Sequence, residues 1–209
     1  MSSAAVQKQD FIDWGVAGRP MVGEAVSGDL HLVKRLDFGA LLAVVDGVGH
    51  GDEATAAAQK AVAILETNAE KSMISLVRRC HEALMKTRGV VMTLASLNGL
   101  ENTLTWMAVG NVEGRLLRRD ERAAPASESV LLRGGLVGYQ LPGLHTSVVP
   151  IAPGDLLILA TDGVRPGFAD GVNVSQTPGQ LAGQILSEHF KGTDDALVLV
   201  ARYLGMHHE

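Results

Sequence analysis

Acidic residues stand at three places where apolar runs end. Leu41-Leu42-Ala43-Val44-Val45 leads into Asp46-Gly47-Val48-Gly49-His50-Gly51, and Leu156-Leu157-Ile158-Leu159-Ala160 leads through Thr161 into Asp162-Gly163. The pair Asp194-Asp195 comes just before Ala196-Leu197-Val198-Leu199-Val200. A carboxylate at the tip of a core strand is costly unless it is hydrogen-bonded, paired with a cation or bound to metal. Singly, each is an ordinary turn aspartate, because Asp-Gly is a common turn pair. Together, with little positive charge beside them, they point to metal. Oxygen ligands suit hard divalent ions, magnesium or manganese, which keep several waters and take few carboxylates each. Gly47 would let the chain turn so that its carbonyl also faces an ion, and Gly163 would allow close approach.

These acids need strands to carry them and turns to aim them. Between Asp13 and Val45 short apolar runs punctuated by Gly read as strands. After Gly51 the spacing of Ala54, Ala57, Ala58, Ala61, Ile64 and Leu65 predicts a helix capped by Asp52. A second helix, capped by Ser72, carries Met73, Leu76, Val77, Cys80, Ala83 and Leu84 on its stripe and closes at Arg88-Gly89. Strands then resume at Val90 to Leu97 and, after an Asn98-Gly99 hairpin turn, at Thr103 to Val109. A further hairpin through Glu113-Gly114 leads to Arg115 to Arg119, and Glu121 to Ser129 reads as a surface loop. Strands at Val148 to Ile151 and Leu156 to Thr161, a helix at Gly179 to His189 and a strand at Ala196 to Leu204 complete the pattern. This order is not the strict alternation of a parallel α/β sheet, so an α+β fold with two antiparallel sheets and helices packed outside is expected.

Composition narrows the function. The chain has 209 residues, 18 Lys plus Arg against 23 Asp plus Glu, a net charge of -5 and only 4% aromatic residues. A mildly acidic chain poor in aromatics lacks the clustered cations and stacking surfaces of a nucleic-acid binder. Its longest apolar runs fall far short of the roughly 20 residues that span a bilayer, so no membrane partner is expected. One Cys and a polar N-terminus without a signal-peptide plan favour a cytoplasmic location. The length favours one domain over residues 1–209.

Asp46-Gly47-Val48-Gly49-His50-Gly51, with Ser27-Gly28-Asp29 upstream and Thr161-Asp162-Gly163 and Asp194-Asp195 downstream, resembles the metal-dependent protein phosphatases of the 2C superfamily (PPM), in particular the bacterial SpoIIE-type branch. The resemblance runs from Asp13 to about Leu204. It implies an α-β-β-α sandwich with two divalent ions, manganese or magnesium, at one end, and removal of phosphate from phosphoserine or phosphothreonine. Position by position it implies that Asp46 bridges the ions, that the Gly47 carbonyl binds one, and that Asp162 and Asp194 bind the other. Asp29 would act through metal-bound water, and Asp195 would support the ligands or add to them, the first of the Asp194-Asp195 pair being the preferred ligand. Ions of this kind acidify water for in-line attack on phosphorus, so no phosphoenzyme is needed. Imidazole is the side chain suited to proton transfer near neutral pH, so His50 is the candidate general acid; a local hydrogen bond at the helix start is its more ordinary reading.

The resemblance has departures. The branch usually has an acid two residues after the second Asp-Gly and its Val, where this chain reads Asp162-Gly163-Val164-Arg165-Pro166. Arg165 is either a solvated loop cation or a contact for phosphate or partner. Leu197 replaces a common Thr, a change expected to affect packing. Only about a dozen residues precede the first strand, so no regulatory domain is expected ahead of the catalytic unit. Stand-alone members of the branch, with a segment like Gly134-Gly135-Leu136-Val137-Gly138-Tyr139, imply the stressosome as partner. The substrates would then be phosphorylated Ser or Thr on small scaffold proteins of the anti-sigma-factor-antagonist fold, bound by loops such as Ala123 to Ser129 and Pro166 to Val174. The alternatives are a catalytically degraded phosphoprotein-binding relative and a small-molecule phosphoesterase.

Other signals carry less. Gly47, Gly49 and Gly51 do not complete a dinucleotide fingerprint, because position 52 is Asp, and no Gly-Lys-Ser/Thr follows. Cys80 lacks the Arg that a thiol phosphatase places six residues on, Lys86 standing there, and is expected in the core. His207-His208 is expected to be a frayed end rather than a metal tail.

Overall fold

A computed structural model describes residues 11–120 and 122–206; the N-terminal segment before them and His207-His208 lie outside the described residues. The strands are β1 (Ile12–Arg19), β2 (Asp29–Leu36), β3 (Gly39–Gly47), β4 (Val90–Asn98), β5 (Thr103–Val109), β6 (Glu113–Leu117), β7 (Ser127–Ser129), β8 (Ser147–Pro150), β9 (Leu156–Ala160) and β10 (Ala196–Tyr203). The helices are α1 (Asp52–Thr67), α2 (Met73–Leu84) and α3 (Pro178–His189). One sheet runs β1-β10-β9-β6-β7 and the other β2-β3-β4-β5-β8, and every strand pairing is antiparallel.

Three apolar layers follow from the alternation of side chains along the strands. Leu42, Val44, Leu97, Trp106, Leu157, Leu159, Leu197 and Leu199 fill the space between the sheets. The other face of the second sheet, with Leu41, Val45 and Leu94, packs on the Ala stripe of α1 and on Leu76 and Cys80 of α2. The outer face of the first sheet, with Ile158 and Val198, packs on Leu181 and Ile185 of α3. This is the α-β-β-α sandwich expected above. Small Ala side chains let α1 lie close to its sheet, and Cys80 sits in that layer with its thiol pushed up to about 12 by burial. Among the described residues no helix is long and apolar enough to cross a membrane.

Some local expectations need correction. Gly51, with φ of 77°, is the N-cap of α1, and no side chain caps it; Asp52 is the first helical residue. Ser72 caps α2 as expected, but the helix ends at Leu84, and residues 85–89 form the turn into β4. Glu113-Gly114 is not a turn. It lies within β6, and the chain crosses from one sheet to the other at residues 110–112. The end of the expected surface loop is strand: β7 pairs with β6 from Ser127↔Leu117 to Ser129↔Arg115.

Candidate metal centre

The strand ends that carry the acids all lie at one end of the sandwich. Asp29 opens β2 and Asp46 closes β3, and the two are directly opposed in the register. Asp162 follows β9 and Asp194-Asp195 precedes β10, neighbours that pair near this end at Val198↔Ala160. Opposed like charges destabilise a strand pair, so a fold that keeps them ionised needs a compensating cation.

Asp46 states that need most sharply. Half-buried, it has no hydrogen-bond donor to its carboxylate among the described residues. Burial, then the charges of Asp29, Asp162, Asp194 and Asp195, push its pKa up to about 9. Asp29 is buried; desolvation, opposed by a hydrogen bond from Thr161 and reinforced by the charges of Asp195, Asp194 and Asp162, pushes its pKa up to about 7. Asp194 is raised by burial first, while the amide of Asp195 and the nearby His50 pull it down. The buried Asp155 at the other end shows the contrast. Arg118 Nη1 at 2.9 Å and the amides of Arg119 and Ala152, each at 3.0 Å, satisfy it.

The donor set therefore fits a hard cation: clustered carboxylates, one without any donor among the described residues, with Asp29, Asp46 and Asp194 made harder to ionise by burial and by their neighbours. Among the described residues no three His, Cys, Asp or Glu side chains are already gathered as a complete ligand set. An ion that keeps most of its waters does not require one.

Tight local packing aims these residues. A Cβ on Gly47 would lie 2.2 Å from the Ala54 carbonyl oxygen, so the turn after Asp46 presses on the first turn of α1. A Cβ on Gly163 would lie 1.9 Å from the Asp195 carbonyl oxygen, which brings the two acidic turns into contact. Asp195 is buried, and both its carboxylate oxygens are engaged: Oδ1 accepts from Met21 N at 2.7 Å and Oδ2 from Gly28 N at 2.6 Å. It holds the segment that delivers Asp29. His50 pairs through Nδ1 with Glu24 Oε1 at 2.8 Å, a partner in the segment before β2 rather than a neighbour at the helix start, and it remains near Asp194.

Three partners escape motif reading. Asn111 donates to Asp162 Oδ2 at 2.7 Å. The Thr161 hydroxyl donates to Asp29 Oδ2 at 2.7 Å and accepts from Leu197 N at 2.8 Å, which ties the two sheets together beneath the acids. Lys191 Nζ donates to the main-chain oxygen of Asp162. Thr161 stands in the motif Thr161-Asp162-Gly163 with no role assigned to it there, whereas Asn111 and Lys191 have no local signal. The loop expectation for Ala123 to Ser129 is also corrected: Ser127 pairs with Leu117, and Leu117 with Leu156, at the end of the sheet remote from the acids. The chain next to the site is instead residues 130–137, where Arg133 O accepts from Gly110 N and Val137 O from Val90 N. Pro166 to Val174 starts at the site, buries Phe168 and Ala169 against α3, and reaches the remote end, where Val174 O accepts from Arg202.

Comparisons with known proteins agree with this architecture. The family model of stage II sporulation protein E (SpoIIE) matches residues 37–204. The phosphoserine phosphatase RsbX of Bacillus subtilis (strain 168) is 26% identical over 145 residues, 68% of this chain and 70% of that protein. A chain from a structure of the bacterial stressosome, a modular system adapted to control secondary messenger signalling, is similar at 30% identity and TM-score 0.83, covering 92% of this chain and all, 100%, of that one. RsbX in complex with magnesium matches at TM-score 0.81 and 21% identity, over 95% of this chain and 98% of that one. The catalytic domain of the phosphatase PstP with 2 manganese ions matches at TM-score 0.67 and 17% identity, over 92% and 98%. At these last two identities the likeness is one of fold.

Proposed function

The chain belongs to the SpoIIE family, and from that premise we propose that it is a divalent-metal-dependent phosphatase acting on phosphoserine or phosphothreonine of small bacterial signalling scaffold proteins. The observation that carries this reading is the Asp46 carboxylate, half-buried, without a donor among the described residues and directly opposed to Asp29, at an end of the sandwich shared with Asp162 and Asp194. The named relatives support the substrate class: one is a phosphoserine phosphatase, and another belongs to a stressosome structure. In this reading the chain is a single domain of the family, working in the cytoplasm to reset a stress-response switch by dephosphorylating stressosome proteins.

Asp46, the Gly47 carbonyl, Asp162 and Asp194 would hold two ions, manganese or magnesium. When bound, such ions supply Lewis acidity and neutralise charge developing in phosphoryl transfer. The remaining work belongs to the chain. Asp195 and Thr161 fix the segment and carboxylate of Asp29, Asn111 orients the carboxylate of Asp162, and the packed turns at Gly47 and Gly163 set the spacing of the acids. His50, its Nδ1 paired with Glu24, has Nε2 to hand a proton to the leaving Ser or Thr oxygen.

The test is manganese- or magnesium-dependent phosphate release from p-nitrophenyl phosphate and from a phosphorylated scaffold protein, by the wild type and by Asp46→Asn and Asp162→Asn. Turnover of both substrates that is lost in both variants supports the reading. Metal binding without turnover would instead mark a phosphoprotein-binding relative, a second reading that Pro166 in the place of the branch's usual acid keeps open. Turnover of the small ester alone would mark a small-molecule phosphoesterase.

A further inference from the structure

Arg165 belongs to a group of cations. Arg19, Arg165 and Lys191 are all exposed and surround Phe190, which follows α3. The Arg19 guanidinium carbon lies 5.3 Å from the centroid of the Phe190 ring. Arg165 donates through Nη2 to Phe190 O at 2.9 Å and through its amide to His189 O at 2.8 Å. Lys191 donates through Nζ to Asp162 O and through its amide to Gly163 O at 2.9 Å. The end of α3 is thereby bound to the Asp162 turn, with positive charge along the seam.

What distinguishes these cations is the absence of acid. Among the described residues none of the three pairs with a carboxylate. Elsewhere at this end Arg88 is neutralised by Glu53 at 2.5 Å, and His50 pairs with Glu24. Attraction to the negative end of a helix explains a cation just beyond α3, but it does not explain Arg19, which closes a strand. The main-chain contacts use one side-chain donor of Arg165 and one of Lys191, out of five on a guanidinium and three on an ammonium. Val22, 75% exposed, adds an apolar neighbour, its Cγ2 lying 3.7 Å from where a Cβ on Gly192 would stand.

We infer that Arg165 and Lys191, with Arg19 held on Phe190, form a docking rim for acidic residues that flank the phosphorylated Ser or Thr of the protein substrate. The inference rests on the phosphatase reading above and names the substrate's chemistry. Cations at the edge of a site act on encounter and register, so they favour an acidic flank chiefly through kcat/KM at low salt.

Two phosphothreonine peptides that differ only in having Glu or Gln around the phosphoresidue test this, beside p-nitrophenyl phosphate. The wild type should favour the Glu peptide about fivefold at low salt, the scale of two or three exposed ion pairs, and lose the preference at high salt. Arg165→Glu should abolish or reverse it and leave the small ester within about twofold. No preference in the wild type, or an unchanged one in both Arg165→Glu and Arg19→Ala/Arg165→Glu, overturns the inference. So does an equal loss on the small ester, which would make the rim a site for the phosphate itself. If neither metal supports turnover of the small ester, the phosphatase reading fails instead. Fluorescence anisotropy of the labelled peptides with the metal-loaded protein then decides the docking, and equal affinity for the two overturns it.

Discussion

Replacing Asp195 by Asn should separate the clamp that holds the site from the ligands that would fill it. The carboxylate of Asp195 is 3% exposed and accepts two short bonds, from Met21 N at 2.7 Å and Gly28 N at 2.6 Å. An amide offers one acceptor and one donor group, so one of these N–H groups would face another N–H. Losing one charge-assisted bond and stranding a buried donor costs about 2 to 4 kcal/mol, and Asp195→Ala, which loses both, about 4 to 6 kcal/mol. An opposing effect depends on pH. Asp195 contributes to the raised pKa of Asp46 and of Asp29, so removing its charge relieves repulsion only where those groups ionise. In metal-free protein the full cost should therefore appear near about pH 5.5, where both are largely protonated, and a smaller one near about pH 9. Urea unfolding followed by the fluorescence of Trp14 and the buried Trp106 measures both. Manganese affinity, read by calorimetry, should fall less in Asp195→Asn than in Asp194→Asn. An Asn variant within about half a kcal/mol of wild type near pH 5.5, or one as damaging to affinity as Asp194→Asn, would refute the clamp.

Asn111→Ala removes the hydrogen bond that orients Asp162, and manganese affinity should drop about tenfold with the unfolding midpoint nearly unchanged; unchanged affinity in calorimetry would contradict that role. Gly47→Ala places a Cβ 2.2 Å from the Ala54 carbonyl oxygen and 2.7 Å from its carbon, so α1 must move, and urea unfolding should show a loss of about 3 kcal/mol together with lost turnover. The metal-free protein should lose stability as pH rises. Folded Asp29 and Asp46 titrate at about 7 and about 9, above their ordinary range, so between about pH 4 and those values the folded state binds more protons than the unfolded one. Thermal melts with chelator should therefore show a lower midpoint near about pH 8 than near about pH 5.5, with magnesium or manganese closing the gap, and a midpoint that rises with pH would count against the acidic cluster.

Much of the fold is legible in the sequence because its signals are local. The alternation through Thr103 to Val109, the apolar stripe of α2 behind Ser72 and the Ala stripe of α1 each follow from the period of one element. Errors arise where the choice is not local. Glu113-Gly114 has turn chemistry, yet it becomes strand because β6 pairs along β9, from Glu113↔Ala160 to Leu117↔Leu156. Asp52 has capping chemistry, but Gly51, with its positive φ, takes the cap position.

The acids divide the same way. Asp46, Asp162 and Asp194-Asp195 stand out as carboxylates beside apolar runs, a pattern of neighbouring residues that burial makes costly, and so the sequence by itself determined which side chains need a partner once the strands are buried. Only the tertiary structure decided how they are shared out. Asp195 is committed to amides of Met21 and Gly28, 174 and 167 residues away, Asp29 to the Thr161 hydroxyl across 132, and Asp162 to Asn111 across 51. Asp46 is left with no donor among the described residues, opposite Asp29. Partners so distant in the chain meet only because strand register and the packing of two sheets bring four strand ends to one edge, and no local spacing encodes that.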